Sequence, residues 1–382
     1  MLGLLTLVLL QGWRPCVPMP TPGYAFACAA VGSRVYAIGG LVSEFDSLVP
    51  RAVTEAYDVA ADSWIRDYAS PPKPRWYAGC AALDGKIYVI GGTADGNTCL
   101  SQVDRFDPST NTWDTVAPLP WPRSSLAGCE YGGRIYAIGG YSTSLGFQKS
   151  VARFTPDSGL GHWDIVDSLN TRRANAGAAV AAGWMCTVGG VYFSDLKSFE
   201  FSGGGWWVKS SRYMNSPRNG AAAVGYGEWL CAIGGQNNDG PLSSVEIASM
   251  ANVGEPWQYL PQMSVPRVFC GAAVVDTDVI VIGGRGDHGP EPSVERGSAS
   301  LFPSGIDEPQ GETRVHYVRS WATVAAGPVR IDCRRATIYD GSGRRVFAGS
   351  GPLDVRLSPG IYFARVTEKD DQLVTGTITV VR

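Results

Sequence analysis

Six Gly-Gly pairs punctuate this chain, and each ends an apolar run: Gly39-Gly40, Gly91-Gly92, Gly139-Gly140, Gly189-Gly190, Gly234-Gly235 and Gly283-Gly284. Successive pairs lie 52, 48, 50, 45 and 49 residues apart. Two further markers keep the same register. A Trp stands 26 or 27 residues before the first Gly of each pair: Trp13, Trp64, Trp113, Trp163, Trp207 and Trp257. An Arg stands 16 residues before it in five units, as Arg75, Arg123, Arg173, Arg218 and Arg267, with Gly23 at the sixth position. Self-similarity at a period near fifty residues marks a propeller array, in which no single unit can bury its own faces and neighbours must stack.

Within a unit the pattern reads as four strands. In the second, the first strand is expected near Arg75 to Leu83, followed by the β-rich Lys86 to Ile90 that the glycines close. Ser101 to Asp107 reads as the third strand and Asn111 to Val116 as the fourth. The Trp supplies a large apolar body to pack between neighbouring sheets. Asp107-Pro108 and Pro118-Leu119-Pro120 are turn material. Composition agrees: 48 of 382 residues are Gly, 12 are Trp and only 18% are charged, as many short strands joined by tight turns require. A hydrophobic content of 45% excludes a disordered chain, and a net charge of −3 gives no electrostatic reason to expect nucleic acid as a partner.

An apolar run ending in Gly-Gly, a Tyr/Phe-Asp-Pro turn, a Trp and Pro-Leu-Pro-x-Arg together resemble the kelch repeat family. Unit two carries the pattern in full, whereas units three and four are degenerate at the turn, with Phe154-Thr155-Pro156 and Ser202-Gly203-Gly204. The resemblance covers about residues 12 to 302 and implies a six-bladed β-propeller. Ring closure follows from the residues. The last unit has no Trp strand after it. Trp13 with Pro18-Met19-Pro20 repeats the offset of Trp113 to Pro118-Leu119-Pro120 and has no blade before it. Gly12 to Cys16 is therefore expected to complete blade six, which removes the exposed sheet edges.

The period stops near Phe302. Residues 303–314 read as a linker, and 315–382 carry short alternating segments with a hairpin turn at Asp340-Gly341-Ser342-Gly343. This points to a small immunoglobulin-like β-sandwich. Tyr339-Asp340, Gly343-Arg344-Arg345, Pro359-Gly360-Ile361-Tyr362 and the terminal Arg382 resemble the C-terminal sorting domain of the bacterial type IX secretion system, without its early Asn-Pro pair. That resemblance implies a bacterial protein exported to the cell surface or medium, with the secretion machinery as a partner. Residues 1–11, including the apolar Leu2 to Leu10, are assigned to a truncated signal peptide. No apolar run is long enough for a transmembrane segment. The expected fold is all-β: a six-bladed propeller closed by an N-terminal strand, plus the small sandwich.

Chemistry is sparse. Only two of the three histidines, His162 and His288, fall in the repeats, at different repeat positions, and do not supply the copper site of galactose oxidase-like propellers; the nine cysteines lack zinc spacing, and no cofactor is expected. The cysteines read as small buried strand residues. Asp104, Glu246 and Glu295 recur in the third strand, each after a Val, and read as structural. The family resemblance places the five arginines, Arg75, Arg123, Arg173, Arg218 and Arg267, in the turn entering the innermost strand. In some kelch adaptors the matching residues bind acidic peptides. They are the ligand-binding candidates, with a structural role in each blade as the alternative. The residues after each Gly-Gly differ (Leu41, Thr93, Tyr141, Val191, Gln236 and Arg285), as a ligand-specific face requires. Arg285-Gly286-Asp287 and Asn237-Asn238-Asp239-Gly240 read as polar turns. The expected function is a secreted or surface-attached module binding a protein, an acidic peptide or a glycan. The alternatives are a metal-free sugar isomerase or lyase using the channel, and a structural envelope protein.

Overall fold

The computed structural model describes residues 12–303 except 45–46, 158, 191–196, 203–206, 252 and 299–300, and beyond them the backbone of eight strands between Arg314 and Val380. Residues 12–303 form six four-stranded antiparallel sheets. Blade two is representative: Gly79–Leu83 innermost, then Lys86–Ile90, Val103–Asp107 and Thr112–Val116 outermost. The six inner strands neighbour one another in a closed ring, blade six meeting blade one. Blade six takes its outer strand from the opposite end of the chain: Arg14, Pro15 and Cys16 pair with Arg296, Glu295 and Val294.

Crowding at the axis explains the inner strands' composition. They are built almost entirely from Ala, Gly, Cys and Val, for example Ala27–Val31 and Gly177–Ala181. A Cβ on Gly128 would come within 2.6 Å of the Cys80 carbonyl, and one on Gly271 within 2.7 Å of the Cys28 sulfur. The second strands are buried on both faces and are accordingly near-continuous apolar runs, such as Ile87–Ile90 and Leu230–Ile233.

The Gly-Gly pairs have a steric cause. Both glycines have positive φ in every blade, for instance 60° and 93° at Gly91 and Gly92. The second donates its N–H to the next blade: Gly40 to the Arg75 carbonyl at 2.9 Å, Gly92 to Arg123 at 2.8 Å, Gly284 to Gly23 at 2.9 Å. At that approach a Cβ on the first glycine would sit 2.5 Å from the neighbouring Arg carbonyl at Gly39, Gly139 and Gly234. The tryptophans also tie blade to blade. The indole N–H groups of Trp64, Trp113, Trp163 and Trp13 donate to the carbonyls of Val17, Ala69, Ala117 and Pro261, at 2.8–3.1 Å. Each acceptor lies just beyond the outer strand of the preceding blade.

The first strand of blade two starts at Gly79, not at Arg75 as the alternation suggests. Arg75 to Ala78 instead turn into the blade, with Trp76 bridged to Thr93 and Tyr77 at a φ of 53°. Eight cysteines are described, all unbridged and buried or half-buried. No helix among the described residues is long and apolar enough to cross a membrane.

The strands beyond residue 314 pair into a three-stranded and a five-stranded sheet. Arg335–Asp340 and Arg345–Ser350 form the hairpin expected around Asp340-Gly341-Ser342-Gly343. How these sheets pack, and hence the expected sandwich, lies outside the described residues, as does the apolar Leu2 to Leu10.

Candidate functional site

The five repeated arginines lie inside the blades: Arg75 and Arg173 are 2% exposed, and Arg123, Arg218 and Arg267 0%. Each guanidinium performs one common task. Its Nη1 donates to the carbonyl of the first glycine of its own blade and to the carbonyl that starts the third strand. Arg218 thus reaches Gly234 at 2.5 Å and Ser244 at 2.9 Å, and Arg267 reaches Gly283 at 3.1 Å and Ser293 at 2.9 Å. The arginine closes the base of the loop between the second and third strands.

Nη2 meets a buried carboxylate on the third strand. Arg173 pairs with Glu200 at 3.1 Å, Arg218 with Glu246 at 2.8 Å and Arg267 with Glu295 at 2.6 Å; Arg75 pairs with Asp104. The glutamates also accept backbone N–H groups from the incoming loop, Glu200 from Asn170 and Thr171, Glu246 from Asn215 and Ser216. Such added hydrogen bonds are what a buried pair needs to offset its desolvation. The recurrent acids at Asp104, Glu246 and Glu295 are therefore structural, as their repetition suggests, and Glu55 and Glu200 join them. The sequence signal for those two was register alone, because neither follows a Val.

Blade one keeps the buried ion pair with a different residue. Gly23 stands where the arginine belongs, and Arg51 enters from the loop, its Nη1 3.4 Å from where a Gly23 Cβ would lie. It pairs with Glu55 at 2.7 Å and donates to Thr21 O at 2.8 Å. Blade three keeps the arginine and lacks the acid. Ala152 occupies the carboxylate position opposite Ala137, in the register that Glu246 holds opposite Ala232.

Two residues after each arginine position, the six chain segments meet around the axis. Ala25, Tyr77, Ser125, Asn175, Gly220 and Phe269 all have φ between 53° and 66°. Each accepts at its carbonyl an N–H from the next blade, Tyr77 from Ser125 at 2.7 Å and Phe269 from Ala25 at 3.0 Å, so six hydrogen bonds close on themselves. Only Asn and Gly readily take that conformation; Tyr77 and Phe269 are held there by the ring. The sequence shows little of this, because the residues have nothing in common beyond their position. They line a cavity of about 120 Å³ at the mouth of the channel. One side of it is aromatic: Tyr77 packs edge-on to Phe269 at 5.1 Å, and Tyr24 stacks on Phe269 at 6.5 Å. Burial raises the Tyr77 hydroxyl, with Tyr24 adding to it and the nearby Arg285 opposing. Ser125 and Asn175 make the other side polar.

The loops after the Gly-Gly pairs surround this mouth. Among the described residues four are short ribbons, Leu41–Glu44 with Ser47–Pro50, Tyr141–Ser142 with Gly146–Phe147, Gln236–Asn237 with Gly240–Pro241, and Arg285–Gly286 with Gly289–Pro290. Arg285 donates to the Gln236 side chain at 3.3 Å and is half-buried. Asn237 and Asp239 form a hydrogen-bonded turn. His162 lies far along the chain on the outer strand of blade three, 3.5–3.7 Å from Asp157 and Asp164. Val191 lies outside the described residues.

A family model described as Kelch motif matches residues 74–120, which span blade two. Curated relatives include Kelch-like protein 35 of Mus musculus, 35% identical over 36% of this chain and 24% of its own length. An F-box/kelch-repeat protein of Arabidopsis thaliana is 31% identical over 38% and 39%. Alpha-scruin of Limulus polyphemus is 26% identical over 58% and 25%. The chain thus spans about a quarter to two-fifths of these relatives. The solved structure of YjhT superposes with a TM-score of 0.60 at 17% identity, covering 73% of this chain and 95% of that one, a likeness of fold. One blade matches the kelch motif, five more repeat its Gly-Gly and Trp positions, and four of those five also carry a buried Arg–carboxylate pair, so residues 12–303 form a six-bladed β-propeller built from kelch-like repeats.

Proposed function

We propose that the propeller is a protein-interaction module whose binding face is the ring-lined mouth and the loops around it. The observation that carries this reading is the hydrogen-bonded ring. It holds Tyr77 and Phe269 in a costly backbone conformation at the centre of a face whose surrounding loops differ from blade to blade. An aromatic floor beside a half-buried arginine suits a peptide segment carrying a carboxylate next to an apolar side chain. Within that face Arg285 takes the anion-recognising role, while the five repeated arginines hold the loops in place. The carboxylates they meet are closed ion pairs with further hydrogen-bond partners, backbone N–H groups for the glutamates and the Gln102 and Thr115 side chains for Asp104, which favours binding over acid–base chemistry.

The test is a screen of acidic peptides against the full chain and three variants, Arg285→Gln, Tyr77→Asn and Phe269→Asn, the last two chosen because Asn tolerates positive φ. Binding lost in the variants with unfolding unchanged supports the reading. Binding retained in all three overturns it. Alanine at Arg75 or Arg218 would report stability instead.

The export role of residues 315–382 is part of the same proposal and rests on the Tyr339-Asp340, Gly343-Arg344-Arg345 and Pro359-Gly360-Ile361-Tyr362 pattern. A reporter fused to this segment should reach the surface of a bacterium with type IX secretion, and periplasmic retention would refute it.

A further inference from the structure

Blade three holds a cation without its counter-ion. Arg123 is 0% exposed, and its Nε and Nη2 have no hydrogen-bond partner. Among the six guanidinium groups at this position it is the one whose Nη2 is unpaired; in the other five that atom meets a carboxylate. Its Nη1 still performs the shared task, donating to the Gly139 and Ser150 carbonyls at 3.2 Å. The missing oxygen is accounted for by one residue, Ala152, at the register of the acids. No carboxylate steps in. Asp167, on the adjacent outer strand, accepts the Ser168 N–H at 2.7 Å, and the Trp121 ring, centred 5.3 Å from the guanidinium carbon, makes a cation–π contact that eases the charge without offering Nη2 or Nε a hydrogen-bond acceptor. Burial alone pushes the Arg123 pKa down to about 10.

A buried guanidinium without a carboxylate is costly, and blade one shows how the fold responds when the arginine is lost: another residue enters. The geometry points to a small-anion site in blade three, where a monovalent anion of chloride or formate size takes the position of the absent carboxylate, accepting from Nη2 and Nε of Arg123. Full burial excludes a carboxylate on a macromolecule. Because Arg123 holds both ends of the loop carrying the exposed Tyr141 and Leu145, occupancy would set the rigidity of one sector of the loop face.

The experiment is a bromide soak of crystals of the full chain, with thermal unfolding measured as chloride or formate replaces gluconate at constant ionic strength. An anomalous peak beside Arg123 Nη2 and a saturable rise of a few degrees with either small anion are expected. Ala152→Glu supplies the carboxylate from the chain and should abolish both, while Arg267→Lys in blade six should keep the peak. No peak at Arg123, or an equal response in wild type and Ala152→Glu, overturns the inference. If Ala152→Glu fails to fold, the wild-type soak decides alone.

Discussion

A buried ion pair is strong only as a complete set, so the arginines should not respond alike to substitution. Arg218→Met leaves Glu246 charged, buried and without a cation, at a cost of about 3–5 kcal/mol. Arg123→Met removes a guanidinium that has no carboxylate to abandon, and the loss of its hydrogen bonds to Gly139 and Ser150 is offset by relief of its desolvation. A change under about 1.5 kcal/mol is expected in low-chloride buffer. Urea unfolding of the two variants measures the difference, and equal losses would show that the loop clamp, not the ion pair, carries the energy. The positions of these arginines were legible from their 16-residue offset to Gly-Gly. Their burial was not, because an Arg in a turn reads as a surface residue until a partner carboxylate 28 residues on, as Glu246 is to Arg218, is known to fold against it.

At the level of strands and turns, the glycines separate two kinds of constraint. Gly85, in the turn between inner and second strands, has φ +72° and open space around it, whereas Gly91 has φ +60° and faces the Arg123 carbonyl of the next blade. Gly85→Ala should therefore cost about 1 kcal/mol, the left-handed backbone penalty, and Gly91→Ala at least about twice that, because the neighbouring blade must also move. Denaturant titration of both variants checks the order, and a reversed order would mean that the inter-blade contact gives way easily. The strands themselves were legible from alternation and the Gly-Gly stops. Only their beginnings were misjudged, as at Arg75 to Ala78, where a bridge between Trp76 and Thr93 captures residues that alternate like a strand.

On the scale of the whole molecule, the ring is closed by three residues, Arg14–Cys16, from the far end of the chain. Removing residues 1–17 strips blade six of its outer strand and of Trp13, whose ring lies within 2.9 Å of where a Gly297 Cβ would sit. A lower unfolding temperature and less cooperative unfolding are expected in calorimetry, and an unchanged transition would refute the closure. The repeat by itself determined the number of blades, the strand order within each and the closing strand, because stacking identical units leaves one way to bury every face. What only the tertiary structure decided is where the charges and the strained residues go. The pairing of Arg with acid, the substitution of Arg51 at Gly23, the unpaired Arg123 and the six-residue ring at the channel mouth all join atoms brought together by inter-strand or inter-blade packing. No local propensity in the sequence encodes those distances.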